Sequence, residues 1–247
     1  CYLFFTLIAG LTSPQINAHA GLSYDADTLQ QAREWQRQYL RVALMLNNFF
    51  SYTATALVAL LLCFRRRALT VLQYHQPGFR GASALALLLF LAAIPLVIYA
   101  TWLNLQVPLP EWAVQDEAYI NRIIGTVLRM ESPAEFLLAF TAMAITPAIG
   151  EELLYRGVIQ KNILGGLSGN HHFSIWLAAA IFSAAHFELA GFLPRLLLGA
   201  VLGYSYYWTR SIWTPILLHL LEQKPHNLEF YRLTLEFFQN PNLLSIA

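Results

Sequence analysis

Apolar residues arrive along this chain in long unbroken runs. There is little of the three-and-four spacing of a half-buried surface helix, or of the two-residue alternation of a strand. A helix needs about 20 mostly apolar residues to cross the hydrocarbon core of a bilayer. Runs of this kind are read at roughly 42–64, 82–105, 134–158, 173–190 and 192–209, and another starts near Trp213-Thr214-Pro215. The opening CYLFFTLIAGL is shorter, and Ala18-His19-Ala20 after it resembles a small-x-small cleavage site, so it reads as a truncated first span or, as the second choice, the end of a signal peptide. The pattern predicts an all-α fold, a polytopic transmembrane helical bundle of six to seven spans.

The connectors carry the charge. Residues 1–41 read as the first span or signal segment followed by a polar extracytoplasmic helix over 22–41 with Arg33, Glu34, Arg37 and Arg41. Residues 42–132 read as further spans and an outer loop. Arg65-Arg66-Arg67 and Arg80 bracket the loop 65–81, which the positive-inside rule places in the cytoplasm. Alternation then puts 106–132 outside, with Glu111, Asp116, Glu117 and Glu131 against Arg122 and Arg129. Tyr99 and Trp102 sit at the outer end of their run, as interfacial aromatics do. The fourth run returns inward to a polar connector, GGLSGNHH (165–172). Gly199 and Gly203 have the spacing that lets helix backbones approach closely, a packing signal.

Composition agrees. The chain is 57% hydrophobic and 12% charged, where a soluble domain carries about 25% charged residues. A net charge of +1 gives no basic field for nucleic acid. Cys1 and Cys63 are too few for a disulfide framework or a four-cysteine zinc site, and Cys63 reads as a lipid-facing or packed thiol.

Against this background GEELLYRG (150–157) stands out. Charges inside a bilayer cost roughly 2.5–3.5 kcal/mol each at mid-helix, so they need partners or a function. Glu152 and Arg156 are four apart and stack on one helix face, where they can pair. Glu151 lies about 100° around the helix and is left for other work. A membrane-edge salt bridge with both glutamates reaching for water is the plain structural reading. Two further intramembrane polar residues weigh against it: His186 in IFSAAHF and His219 in TPILLHLLEQ. A glutamate and two histidines from three helices can activate a water for attack on an amide, or hold zinc as a His₂Glu set. No H-E-x-x-H is present. Counted at about 1.5 Å per residue, His186 lies ~19 Å along a helix that starts at Phe173, deeper than Glu151 and His219 near the inner face.

Glu151-Glu152-x-x-x-Arg156, then Phe182-x-x-x-His186, then His219, with FLPRLLLGAVLGYSYYWTRSIWTPILLH over 192–219, resemble the CPBP family of intramembrane proteases, the CAAX prenyl protease type II and bacteriocin-processing group. The resemblance covers roughly 135–220. It implies a catalytic core over 133–223, with the active site inside the membrane, and peptide-bond hydrolysis. It assigns Glu151 as the base that activates water, His186 as the residue that positions it, Glu152 and Arg156 as residues that order the site, and His219 as the oxyanion stabiliser. It implies a peptide or membrane-protein substrate, the lipid bilayer as partner, no nucleic acid, and a multi-pass protein of a bacterial inner membrane. The family has been described both as metalloproteases and as metal-independent glutamate proteases. Glu151 with His186 suffices to polarise a water, so no cofactor is favoured, and zinc on Glu151, His186 and His219 is the alternative. The chain departs from the family in two places. The third motif is usually H-x-x-x-N, and here Gln223 takes the Asn position, with Glu222 beside it. The tail 224–247 is amphipathic or divergent where an apolar continuation is usual. These departures leave a second function open, a non-proteolytic protein of the same fold acting in bacteriocin self-immunity or as a binding scaffold. A proton-relay transporter is a third, without the inverted repeat that many transporters show.

Overall fold

The computed structural model describes residues 32–67, 70–72 and 79–222, and all regular structure among them is helical. Residues 1–31, with the first run, and 223–247, with Gln223 and the tail, lie outside the described residues. The helices are α1 (Glu34–Arg67), α2 (Ala82–Leu105), α3 (Glu111–Leu128), α4 (Pro133–Ser168), α5 (His171–Ala184), α6 (Phe192–Thr209) and α7 (Trp213–Glu222). The expected runs at 82–105 and 192–209 and the start near 213 coincide with α2, α6 and α7.

Four helical stretches are long and apolar enough to cross a membrane: Glu34–Arg67, Ala82–Leu105, Pro133–Ser168 and Leu189–Thr209. The six to seven spans expected from the runs therefore include two helices, α5 and α7, that are too short to cross alone at 14 and 10 residues. The bundle is apolar on its outside. Leu85, Leu88, Leu91, Leu96 and Leu103 of α2 are exposed, a face that suits lipid rather than water. Cys63 is free and exposed, so its thiol faces outward rather than into the core.

Three boundaries differ from the expectation. The polar stretch 34–41 is the first turns of α1 rather than a separate helix, because Arg37 and Arg41 turn inward and are buried against Glu135. The outer connector 106–132 contains an 18-residue helix, α3. The fourth span does not stop at 158. It runs on through Gly165 and Gly166 and ends at Gly169, whose φ of 62° is the left-handed conformation that closes helices. Asn170 then caps α5, its Oδ1 accepting from the backbone N–H of His172 at 3.0 Å and of Phe173 at 3.2 Å.

Within α4 the helix widens to π geometry at Thr141–Ile145, just before Pro147. A proline inside a helix withdraws one N–H from the ladder. The freed carbonyls find other donors: Thr146 Oγ1 donates to Thr141 O at 2.5 Å, and Asn48 Nδ2 of α1 donates to Ala142 O at 3.4 Å. A second π stretch, Leu153–Leu164, begins directly after Glu152. Such widenings are frequent at functional sites.

Candidate active site

The stripe Glu152, Arg156 and Gln160 runs down one side of α4 and points into the protein. All three side chains are buried. Glu152 Oε2 lies 2.9 Å from Arg156 Nε, an ion pair whose N–H is not aligned as a hydrogen bond. Arg156 Nη2 donates to Gly199 O at 3.2 Å, and Gln160 Nε2 donates to Gly203 O at 3.0 Å. The GxxxG pair therefore does more than pack. Without side chains there, α6 offers two backbone carbonyls to donors four residues apart on α4. A Cβ on Gly203 would stand 2.7 Å from Gln160 Oε1 and 2.8 Å from Ile175.

On the other side of Glu152 lies His219. Its Nδ1 is 2.9 Å from Glu152 Oε1, and its Nε2 is 3.8 Å from Glu151 Oε2. A carboxylate only accepts, so Nδ1 carries the proton in that bond. Glu151 and His219 are buried, at 5% and 4% exposure. The membrane-edge reading, with glutamates reaching for water, is not what forms. Glu151 is positioned from behind, where Gly150 lets the Tyr52–Thr53 backbone of α1 close in. A Cβ on Gly150 would meet Thr53 Oγ1 at 2.7 Å and Tyr52 Cβ at 2.9 Å.

Phe182 is the hub. Its ring lies 4.9 Å from the Arg156 guanidinium carbon, packs edge-on against Tyr155 at 5.0 Å and His186 at 4.9 Å, and faces His219 at 6.3 Å. His186 is half-buried in the turn after α5, and its Nδ1 bonds Phe182 O at 2.8 Å. The carbonyl can only accept, so Nδ1 donates in that bond. The mismatch in depth closes because α4 is longer than its apolar run. It extends about 24 Å beyond Glu152 to Ser168, and α5 climbs back about 22 Å from His171 to His186.

The turn that carries His186 is held from outside. Asn104, at the end of α2, donates to Leu189 O at 2.8 Å and accepts from Leu193 N–H at 2.9 Å. Ser183 Oγ donates to Phe192 O at 2.7 Å, and Arg195 pairs with Glu188. Phe187, next to His186, has φ of 54° and is 83% exposed.

Glu151, Glu152, Arg156 and His219 thus come together, with His186 across Phe182. Sequence reasoning missed the parts played by Gln160, Asn104 and Glu222. Gln160 was legible as the third polar residue of an i, i+4 series in an apolar helix. Glu222 follows His219 by one turn, is half-buried, and lies within electrostatic range of His219, Glu151, Glu152 and Arg156. Asn104 had no local signal. As for zinc, no group of three or more His, Cys, Asp or Glu side chains among the described residues stands close enough to share an ion. The set Glu151, His186 and His219 is not gathered into a ligand shell among the described residues.

Residues 133–223 match the family model of the type II CAAX prenyl endopeptidases, Rce1-like. This segment is similar to the Rce1-like domain. It begins at the first residue of α4 and takes in α5, α6 and α7, so the match and the buried polar cluster cover the same helices. No curated protein and no solved structure matches the chain. The match to a helical membrane-protease family over 133–223 and the four apolar helices agree with an integral membrane protein.

Proposed function

We propose that the protein is an intramembrane endopeptidase in which Glu151 activates a water for attack on a peptide bond. The observation that carries this reading is the unequal pairing of the two adjacent glutamates. Glu152 is committed to Arg156 at 2.9 Å and to His219 at 2.9 Å, whereas Glu151 Oε2 stands 3.8 Å from His219 Nε2. A gap of that size between two polar atoms is one a water can bridge. Water held there would face a carboxylate able to take its proton. His186, whose Nε2 is not used in the bond to Phe182 O, would orient the water or the scissile group from the other side of Phe182. Arg156 Nη1 is buried without a hydrogen-bond acceptor among the described residues, and His219 lies next to the carboxylates. Either could stabilise the oxyanion, a contribution worth roughly 10²–10³ in rate.

The substrate would be a peptide or the tail of a membrane protein, entering from the side of the arginine-rich loop. The chemistry balances as hydrolysis. Water would add its oxygen to the carbonyl carbon and give one proton to Glu151; the C–N bond would then break, and Glu151 would return that proton to the leaving amine, giving a carboxylic acid and an amine.

The test compares new peptide N-termini in membranes holding the native protein or Glu151→Gln at equal level. Termini lost in the variant, by at least about 10²-fold in rate, support the base assignment. Identical termini would overturn it and favour the binding or immunity role. In the same assay chelators are expected to leave cleavage unchanged. Inhibition that added zinc reverses would move Glu151, His186 and His219 into a metal site.

A further inference from the structure

Backbone that leaves the helical ladder inside a membrane bundle must find its hydrogen-bond partners within the protein. The turn 185–191, between α5 and α6, is such backbone, and His186 stands in it. Phe187 follows with a left-handed φ of 54°. A bulky side chain rarely takes that conformation, and it persists only where the surroundings over-determine it. Helix α6 then starts at Phe192, behind Gly191. A glycine has no side chain to accept from the first N–H groups of the helix it precedes.

Asn104 supplies what the turn lacks. It lies in the last turn of α2 and is 5% exposed. Its Oδ1 accepts from the Leu193 N–H at 2.9 Å, the bond that a capping side chain makes to the second residue of a helix. Its Nδ2 donates to Leu189 O at 2.8 Å. One amide thus grips a carbonyl ahead of α6 and an N–H inside it, using both ends of its side chain. On the near side of His186, Ser183 Oγ donates to Phe192 O at 2.7 Å and ties the end of α5 to the start of α6. His186 sits midway between Ser183 and Leu189 in sequence, so both anchors bracket it. Its ring is fixed in turn by the bond from Nδ1 to Phe182 O. The place of His186 relative to Glu151 therefore depends on the turn, and the turn depends on Asn104. Asn104 lies outside 133–223, so the segment that matches the Rce1-like model does not contain this anchor.

We propose that Asn104 is a positioning residue for peptide-bond cleavage, holding His186 in register with Glu151 across Phe182. The assignment rests on the proteolytic reading above, in which His186 orients the water or the scissile group. It makes α2 part of the catalytic unit, although α2 carries none of the residues that meet the substrate in that reading. A displacement of about 1 Å, set by a side chain far from the chemistry, can cost about 10²-fold in rate.

The test follows the rate at which Glu151-dependent peptide N-termini appear in membranes holding equal amounts of folded full-length protein. Asn104→Leu is expected to slow that rate about 10²-fold. Asn104→Asp keeps the shape and the acceptor for Leu193, so it should restore part of the rate. Adding Asn104→Leu to His186→Ala should slow cleavage no further, since a residue that acts through His186 has nothing left to position. Two readouts need no substrate. Amide exchange at Leu193 should quicken in Asn104→Leu and stay slow in Asn104→Asp. The ring nitrogen NMR signals of His186, identified by their loss in His186→Ala, should shift in Asn104→Leu while those of His219 hold. An unchanged rate in Asn104→Leu, unchanged His186 signals, or a further full loss in the His186→Ala background would overturn the assignment and leave the protease reading standing. A native protein that yields no Glu151-dependent termini would instead remove the protease reading, and this assignment with it.

Discussion

At the scale of single residues, adjacent glutamates in one helix have opposite positions in the network. Glu152 neutralises Arg156 and bonds His219, and all three side chains are buried. Removing one partner of a buried charge pair leaves the other unpaired, at a cost of about 3–5 kcal/mol. Glu152→Ala should therefore lower the unfolding temperature in detergent by many degrees and abolish activity with it. Glu151→Gln should abolish activity while the unfolding temperature stays close to the native value. Equal thermal loss in both variants would mean that the two carboxylates share one structural role. This division was half legible in the chain. The i, i+4 spacing identified Glu152 as the partner of Arg156. That His219 bonds the same glutamate could not be read, because it depends on how α7 docks on α4, 67 residues away in sequence.

At the scale of elements, the site is positioned by two glycine contacts and one turn. Helix α1 closes on Gly150, and α6 presents Gly199 and Gly203 to the polar stripe of α4. Over-packing a close contact of this kind costs about 1–3 kcal/mol. Gly203→Val should force α6 away from Gln160 and Ile175. The expected readout is faster amide hydrogen exchange across 153–164 and 199–207, with α2 little changed. An unchanged exchange pattern would show that the α4–α6 contact is looser than drawn. The apolar runs foretold where α2, α6 and α7 begin, since those helices are apolar to their ends. They misjudged α4, α5 and α1 for one common reason. A run ends where polarity starts, whereas a helix ends where its backbone is capped. Polar residues such as Lys161 and Asn162 continue α4 because its later turns are partnered by other parts of the protein. Gly169 and Asn170 are the actual punctuation.

At the scale of the whole molecule, the segment that matches the Rce1-like model does not stand alone. The helix that precedes it in space, α1, is fastened to the start of α4 by a buried charge cluster far from the candidate active site. Arg37 Nη2 donates to Glu135 Oε1 at 3.0 Å, and Arg41 Nη1 lies 3.4 Å from the same oxygen. Arg41 also donates to Val127 O at 3.0 Å and to Arg129 O at 2.7 Å, so it fixes the end of α3 as well. Glu135 in turn accepts from the Glu131 backbone N–H at 2.9 Å. One carboxylate thus sets the relation of three helices, and through α1 it sets the Tyr52–Thr53 backbone against Gly150 beside Glu151. Glu135→Ala would leave two buried guanidinium groups without their shared anion. The expected loss is again about 3–5 kcal/mol, with a cooperative unfolding transition shifted to lower temperature. The mean effect of Arg41→Met should be smaller, because one long apolar side chain fills the same space and Arg37 still pairs with Glu135. If Glu135→Ala unfolded only α1 and α3, seen as exchange confined to 34–67 and 111–128 while 146–222 stayed protected, the segment that matches the Rce1-like model would be the independently stable unit and α1 an accessory wall. Loss of protection throughout would show that the site needs the clasp at the far end to hold Glu151 in place.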